Sequence, residues 1–229
     1  MLKKLLATLG IGSTAKRAAD PRAVHEPYAE PHLNFLYNLL FCDDPDLFRN
    51  HGRVPNDGPW PVLLAEQPDT AALGRIAEDE ANEGRVRALA YNRLRSAGEK
   101  VAAKQVLGAI VEVPLKQGLD VLAAFSEGGV RYLNQSGKAA IFEGKGNPVE
   151  QLAMELVSAS QAIVDRIGPW EQSRRPPPKA GDVRMTFLVS DGLYFGEGPF
   201  GVMQRDPMAG PFLARAAQLL QRVVELASP

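Results

Sequence analysis

Arg174, Arg175 and Lys179 place three cations in a proline-rich stretch that begins near Trp170, and Tyr194, Phe195 and Phe200 follow closely downstream. Guanidinium groups take carboxylates and phosphates through paired hydrogen bonds, and arginines and aromatics are the usual anchors of binding surfaces. The run Pro176-Pro177-Pro178 holds an extended chain whose docking costs little entropy. Trp170, Arg174, Arg175, Lys179, Tyr194, Phe195 and Phe200 therefore form the candidate binding site. The competing expectation is an exposed basic loop whose aromatic neighbours belong to the core.

Other residue types fit known chemistry less well. Gly196-Glu197-Gly198-Pro199-Phe200-Gly201 has the letters of a dinucleotide loop, but Pro199 interrupts it and a strand-like run follows, so a hairpin loop is expected. No Walker-type phosphate loop occurs in the sequence. His25, His32 and His51 lie near Cys42, Asp43, Asp44 and Asp46, yet their spacing matches no metal-binding helix face. No metal and no cofactor are expected. A Cys42 nucleophile lacks a histidine placed by the sequence as its base, and Ser126, Ser136 and Ser190 sit in no G-x-S-x-G elbow. Asp182, Asp191, Glu197 and Asp206 flank the last strand-like runs, where turn formation explains them more simply than acid–base work.

Composition bounds the alternatives. The 229 residues are 45% hydrophobic and 23% charged, ordinary for a globular chain with a sizeable core. Lys and Arg number 26 against 27 Asp and Glu, so no overall field favours nucleic acid or an anionic membrane. The single cysteine excludes an intrachain disulfide and fits a reduced, cytoplasmic compartment. Residues 1–12 carry two lysines before a short apolar run broken by glycines. This reads as an amphipathic arm rather than a cleaved leader, with weak membrane-surface contact left open and no stable insertion.

Elements must position these groups. Residues 1–30 read as a flexible arm and 31–68 as a helical segment packing on a main domain at 69–229. Leu33, Leu36, Tyr37, Leu40 and Phe41 give 31–41 a helical apolar face, and Trp60 between two prolines is an expected packing anchor. One long helix is expected over 70–97, capped by Asp69 or Thr70, with its acidic and basic halves solvated and Glu83 paired to Arg87. Strands follow at 106–113, 121–125, 130–133 and 139–142, then a helix at 148–167 with Asn147 as cap and Pro148 at its first position. A proline-rich connection at 168–181 leads to strands at 183–189, 193–195 and 200–204 and a last helix at 209–226. At an offset of 62 residues Asp120, Val121, Phe125 and Tyr132 match Asp182, Val183, Phe187 and Tyr194. A duplication would give a pseudo-symmetric sheet with both later helices on one face.

The order of elements over about residues 70–226 resembles, in outline, the helix, two strands, helix, three strands, helix plan of roadblock-type and profilin-like domains, with the 130–142 hairpin as an insertion. The resemblance rests on element order and implies only a fold. The expected fold is α+β, an antiparallel sheet of six or seven strands flanked by three or four helices. The expected function is a non-catalytic protein-interaction or assembly module, working with a protein partner or as a homo-oligomer. The alternative is a binding or catalytic domain for a small anionic ligand, with its pocket near 170–200.

Overall fold

The computed structural model describes residues 24–50, 57–116 and 118–227. Five helices come first, α1 (Pro31–Leu39), α2 (Pro45–Asn50), α3 (Trp60–Leu63), α4 (Thr70–Glu78) and α5 (Gly84–Ser96). Four strands follow, β1 (Val106–Leu115), β2 (Gly118–Phe125), β3 (Val130–Leu133) and β4 (Ala139–Phe142). The chain continues through α6 (Glu150–Val164), β5 (Asp182–Val189), β6 (Gly192–Pro199), α7 (Phe200–Met203) and α8 (Ala209–Ala227). All six strands join one antiparallel sheet in the order β4-β3-β2-β1-β5-β6. The protein is thus α+β with a central antiparallel sheet.

Alternation along the strands explains why the sheet is covered twice. Leu107, Ile110, Val121, Ala123 and Phe125 pack with Leu33, Tyr37, Leu63, Leu73 and Leu89 of the early helices. Ala109, Val111, Leu122, Ala124 and Phe187 pack on the other face with Leu156 of α6 and Phe212 and Leu219 of α8. Phe212 meets Phe187 edge-on at 5.4 Å, and Leu213, Ala216 and Val223 continue the same stripe of α8. The helices at 31–63 share a single core with α4, α5 and the sheet. Trp60 stacks on Phe48 at 5.9 Å.

Several elements differ from expectation. The long helix is two, because Asp79 leaves the α region and its carboxylate accepts from the Ala81 N–H. Gly84 then starts α5 hard against β1, where a Cβ would lie 2.3 Å from the Leu107 carbonyl oxygen. The arginine half of this region is not a solvated face: buried Arg87 donates to the Ala77 carbonyl and Arg95 to the Ser190 carbonyl, while Glu83 pairs with Arg85 instead of Arg87. Asn147 accepts from the Val149 N–H, and Pro148 lies ahead of α6. Residues 200–203 form the helix α7 and not a seventh strand, so two strands follow α6 where the roadblock-type plan has three. Short apolar runs leave helix and strand undecided, and here Met203 closes over Gly196 and Gly198. The G-x-G-x-x-G letters accordingly span the end of β6 and the single turn of α7, not a hairpin loop.

Both α6 and α8 lie on one face, as a duplication would give, but the hairpins differ in register. Tyr132 stands opposite Leu122, and Tyr194 opposite Phe187, whereas a shift of 62 would set Tyr194 opposite Arg184. The arm at 1–23 and His51 lie outside the described residues. No helix among the described residues is long and apolar enough to cross a membrane.

Candidate functional site

The fold gathers four of the proposed residues, Trp170, Arg174, Arg175 and Phe195, beside Phe41, on the side of β5 and β6 opposite α6 and α8. The connection after α6 runs along the outer edge of β6, where the Trp170 N–H donates to the Leu193 carbonyl at 2.7 Å. The Trp170 ring meets Phe195 edge-on at 4.8 Å, and its indole N–H donates to the Ser173 carbonyl. Arg174 then turns inward over Phe41, 4.1 Å from the ring centre, and Arg175 lies 5.9 Å from the centre of Phe195.

Each guanidinium in this cluster faces carboxylates of the same chain. Arg174 Nε donates to Asp43 Oδ2 at 2.5 Å and Nη2 to Asn38 Oδ1 at 2.9 Å. Arg184 donates from Nε to Glu197 Oε2 at 2.7 Å, and its other nitrogens reach the carbonyls of Arg175 and Pro176. Arg175 Nη1 lies 3.7 Å from Glu197 Oε1. Glu112, fully buried in β1, accepts from the Tyr37 hydroxyl at 2.7 Å and stands 3.7 Å from Arg184 Nη1. His25 ties the start of the described chain to this cluster, since the Arg174 carbonyl can only accept from its Nε2–H at 3.1 Å. The cluster thus joins α1, the proline-rich connection and three strands.

Burial sets the protonation behaviour. The Asp43 carboxyl is pushed up to about 6, because the cost of desolvating the charge outweighs Arg174 and its hydrogen bond. Burial also raises Glu112, against the opposing pull of Arg184 and the Tyr37 hydroxyl. Burial lowers His25. Cys42 is pushed up to about 12 by burial, so its thiol stays protonated and is a poor nucleophile at neutral pH.

The Asp43 shift gives a pH prediction. Its folded value of about 6 lies above the ordinary 3.8, so the fold binds the extra proton between these values. Asp43 therefore adds stability as pH falls from about 6 toward 4, and that contribution is lost as pH rises through 6. Urea midpoints at pH 7, 6 and 5 should rise in wild type relative to Asp43→Asn as pH falls. A difference between the two proteins that is constant across this range refutes the assignment.

The space left among Phe41, Trp170, Arg174, Arg184, Thr186 and Phe195 is about 20 Å³. That is room for one water, not for a substrate. The other three candidates stand apart from it. Lys179 is 83% exposed with Nζ 3.9 Å from Asp182 Oδ2. Tyr194 is buried on the opposite face, its hydroxyl donating to Asp191 Oδ2 at 3.0 Å. Phe200 lines an apolar cleft beneath α8.

Sequence reasoning missed Tyr37, Glu112 and Arg184 as partners of this cluster. A signal existed: Glu112 is the lone charge of β1 and Arg184 lies between Val183 and Met185 in β5, and the sheet makes them cross-strand neighbours. Ser190, weighed as a nucleophile, donates to the Ala102 carbonyl and accepts from the Gln105 N–H, holding a turn. Among the described residues no group of three or more His, Cys, Asp or Glu side chains could hold a metal ion. No protein-family model matches the chain, and no curated protein sequence matches it.

Proposed function

We propose that the protein is a non-catalytic interaction and assembly module that works by extending its sheet at β4. The observation that carries this reading is the contrast between the two sheet edges. The β6 edge is covered by the connection through Trp170, with Pro169 beside Gly192. β4 is the terminal strand and has no further strand beside it among the described residues. An open edge is a template for another strand.

Geometry says which groups are offered. The Asn134 N–H donates to the Lys138 carbonyl, so alternation along an antiparallel ladder bonds Ala140 and Phe142 to β3. The N–H and C=O of Ala139 and Ile141 then point outward. Ile141 is 50% exposed, so its side chain is open to a strand laid alongside. Lys138 precedes β4, and Glu143, which pairs with Arg131 and stays largely exposed, follows it, so antiparallel pairing of two copies brings Lys138 of one toward Glu143 of the other. The strand is short, which limits open-ended aggregation. The reading is of a homo-oligomer in the cytoplasm, where the buried Cys42 thiol has no need of a partner.

The anionic-ligand alternative has less support, because Arg174, Arg175 and Lys179 already face Asp43, Glu197 and Asp182. Ile141→Pro removes one outward donor and leaves the β3–β4 ladder bonds in place. Sedimentation equilibrium across a concentration series should show self-association in wild type that the variant loses at unchanged circular dichroism. Equal association in both proteins, or a monomer throughout, rejects assembly through β4.

A further inference from the structure

The face opposite the charged cluster holds a cleft of about 290 Å³ between the sheet and α8. Val111, Val113 and Leu122 form its sheet side, and Leu213, Ala216 and Leu220 its helix side. An apolar cavity of about 150 Å³ already suffices to take up benzene, so this space accommodates a ligand roughly twice that size. It is far larger than the space of about 20 Å³ among the arginines. Small-molecule sites are typically of this kind, an apolar hollow with few polar groups that fix orientation.

The polar groups here have a definite sign. Among the described residues Asp120 is the one charged residue of the lining. Its Oδ2 accepts from the Tyr132 hydroxyl at 2.9 Å and its Oδ1 from the Gln135 N–H at 2.7 Å, which fixes the carboxylate in place. Tyr132 in turn accepts from Asn134 Nδ2 at 2.9 Å, so its hydroxyl is already engaged both as donor and as acceptor. A carboxylate offers about four acceptor positions, and two of them are used. A ligand meets apolar walls and a fixed acceptor, and a second carboxylate would meet like charge.

We infer that this cleft is a binding site for a small amphiphile, an aliphatic chain or compact ring system whose polar end is a hydrogen-bond donor, neutral or cationic. The inference stands independently of assembly at β4. Decan-1-ol and decylamine fit the class, and decanoate does not. Asp120→Asn removes the charge and keeps one oxygen for the Gln135 N–H, while its amide nitrogen meets the Tyr132 hydroxyl as a donor in place of an acceptor, so it tests charge preference in a cleft of nearly unchanged shape.

The test uses the full chain at pH 7 with N-phenyl-1-naphthylamine, a neutral fluorophore, kept with its competitors below their aggregation concentrations. Fluorophore bound to wild type should be displaced by decan-1-ol and decylamine at concentrations at least tenfold below decanoate. Asp120→Asn should narrow the gap between decylamine and decanoate to less than threefold. Ala216→Phe should abolish binding by filling the cleft, and Leu220→Asp at its half-buried rim should weaken decan-1-ol at least tenfold. Methyl resonances of Val111, Leu122 and Leu213 in wild type should shift on adding decan-1-ol, a readout that needs no variant to fold. Absence of binding, competition by decanoate equal to that by decylamine, or shifts confined to other methyls overturns the proposal. Tighter fluorophore binding in Leu5→Asp with Leu6→Asp also overturns it, because the N-terminal segment of the chain would then be the occupant.

Discussion

Arg184→Met is expected to lower the free energy of unfolding by about 3–5 kcal/mol, because it removes the cation from a buried network and leaves the carboxylates behind. The Arg184 side chain is nearly inaccessible between Glu112, which is fully buried, and Glu197. It also satisfies the carbonyls of Arg175 and Pro176. Methionine keeps much of the volume of the stem and none of the charge, so the measured loss reports the stranded charges more than a cavity. Against a typical total of about 5–15 kcal/mol, this is a large fraction of the stability of the fold.

The same argument fixes the pH response and the rescue. Glu112 is already held above the usual carboxylate range by burial, and Arg184 is the main influence opposing that rise. Without Arg184 the folded Glu112 carboxylate takes up its proton at still higher pH. Groups whose folded values are raised add stability as pH falls, so the deficit of Arg184→Met should shrink on acidification. Adding Glu112→Leu to Arg184→Met should recover part of the loss, since an apolar pair avoids the desolvation that the ion pair incurs. Urea melts at pH 7 and 5 decide it. A deficit below about 1 kcal/mol that does not change with pH would show that the network carries no stability.

This network also marks where the sequence stops being legible. Amphipathic periodicity is local, so α6 and α8 could be read as helices, and the hairpins announced themselves by glycine turns between β-branched runs. The site depends on non-local pairing. Arg174, Arg175, Trp170 and Phe195 were visible as types, but Asp43 and Glu197, which face the two arginines, come from a loop and from β6, and only the register of β1 on β5 brings Glu112 to Arg184. A count of cations in a loop therefore says little about free charge. The break between α4 and α5 was hidden for a related reason. Residues 79–83 have acceptable helix formers, and although the Asp79 carboxylate on the Ala81 N–H ends α4, the approach of Gly84 to the Leu107 carbonyl that follows is recorded by no local pattern. Phe200, Val202 and Met203 read equally well as strand or helix until the fold sets α7 at the end of β6.

Tyr37→Ala is expected to be as costly as the loss of Arg184, about 3–5 kcal/mol, and Tyr37→Phe about 1.5–3 kcal/mol. Tyr37 is fully buried, with edge-on contacts to Phe41 at 5.2 Å and to Tyr28 at 6.3 Å. Its hydroxyl donates to Glu112 at 2.7 Å, and burial, together with that carboxylate, holds its ionisation well above the tyrosine range. The ring thus packs α1 into the helical layer while the hydroxyl bonds that layer to β1. The phenylalanine variant deletes only the bond, and the alanine variant deletes both, so their difference isolates the packing of the ring. With Phe at this position Glu112 loses one donor, and the variant should regain stability on acidification for the reason given for Arg184→Met. Urea denaturation of the three proteins at pH 7 measures each increment. Should Tyr37→Ala cost no more than Tyr37→Phe, the ring would not be what holds α1 to the sheet, and the hydroxyl alone would make the connection.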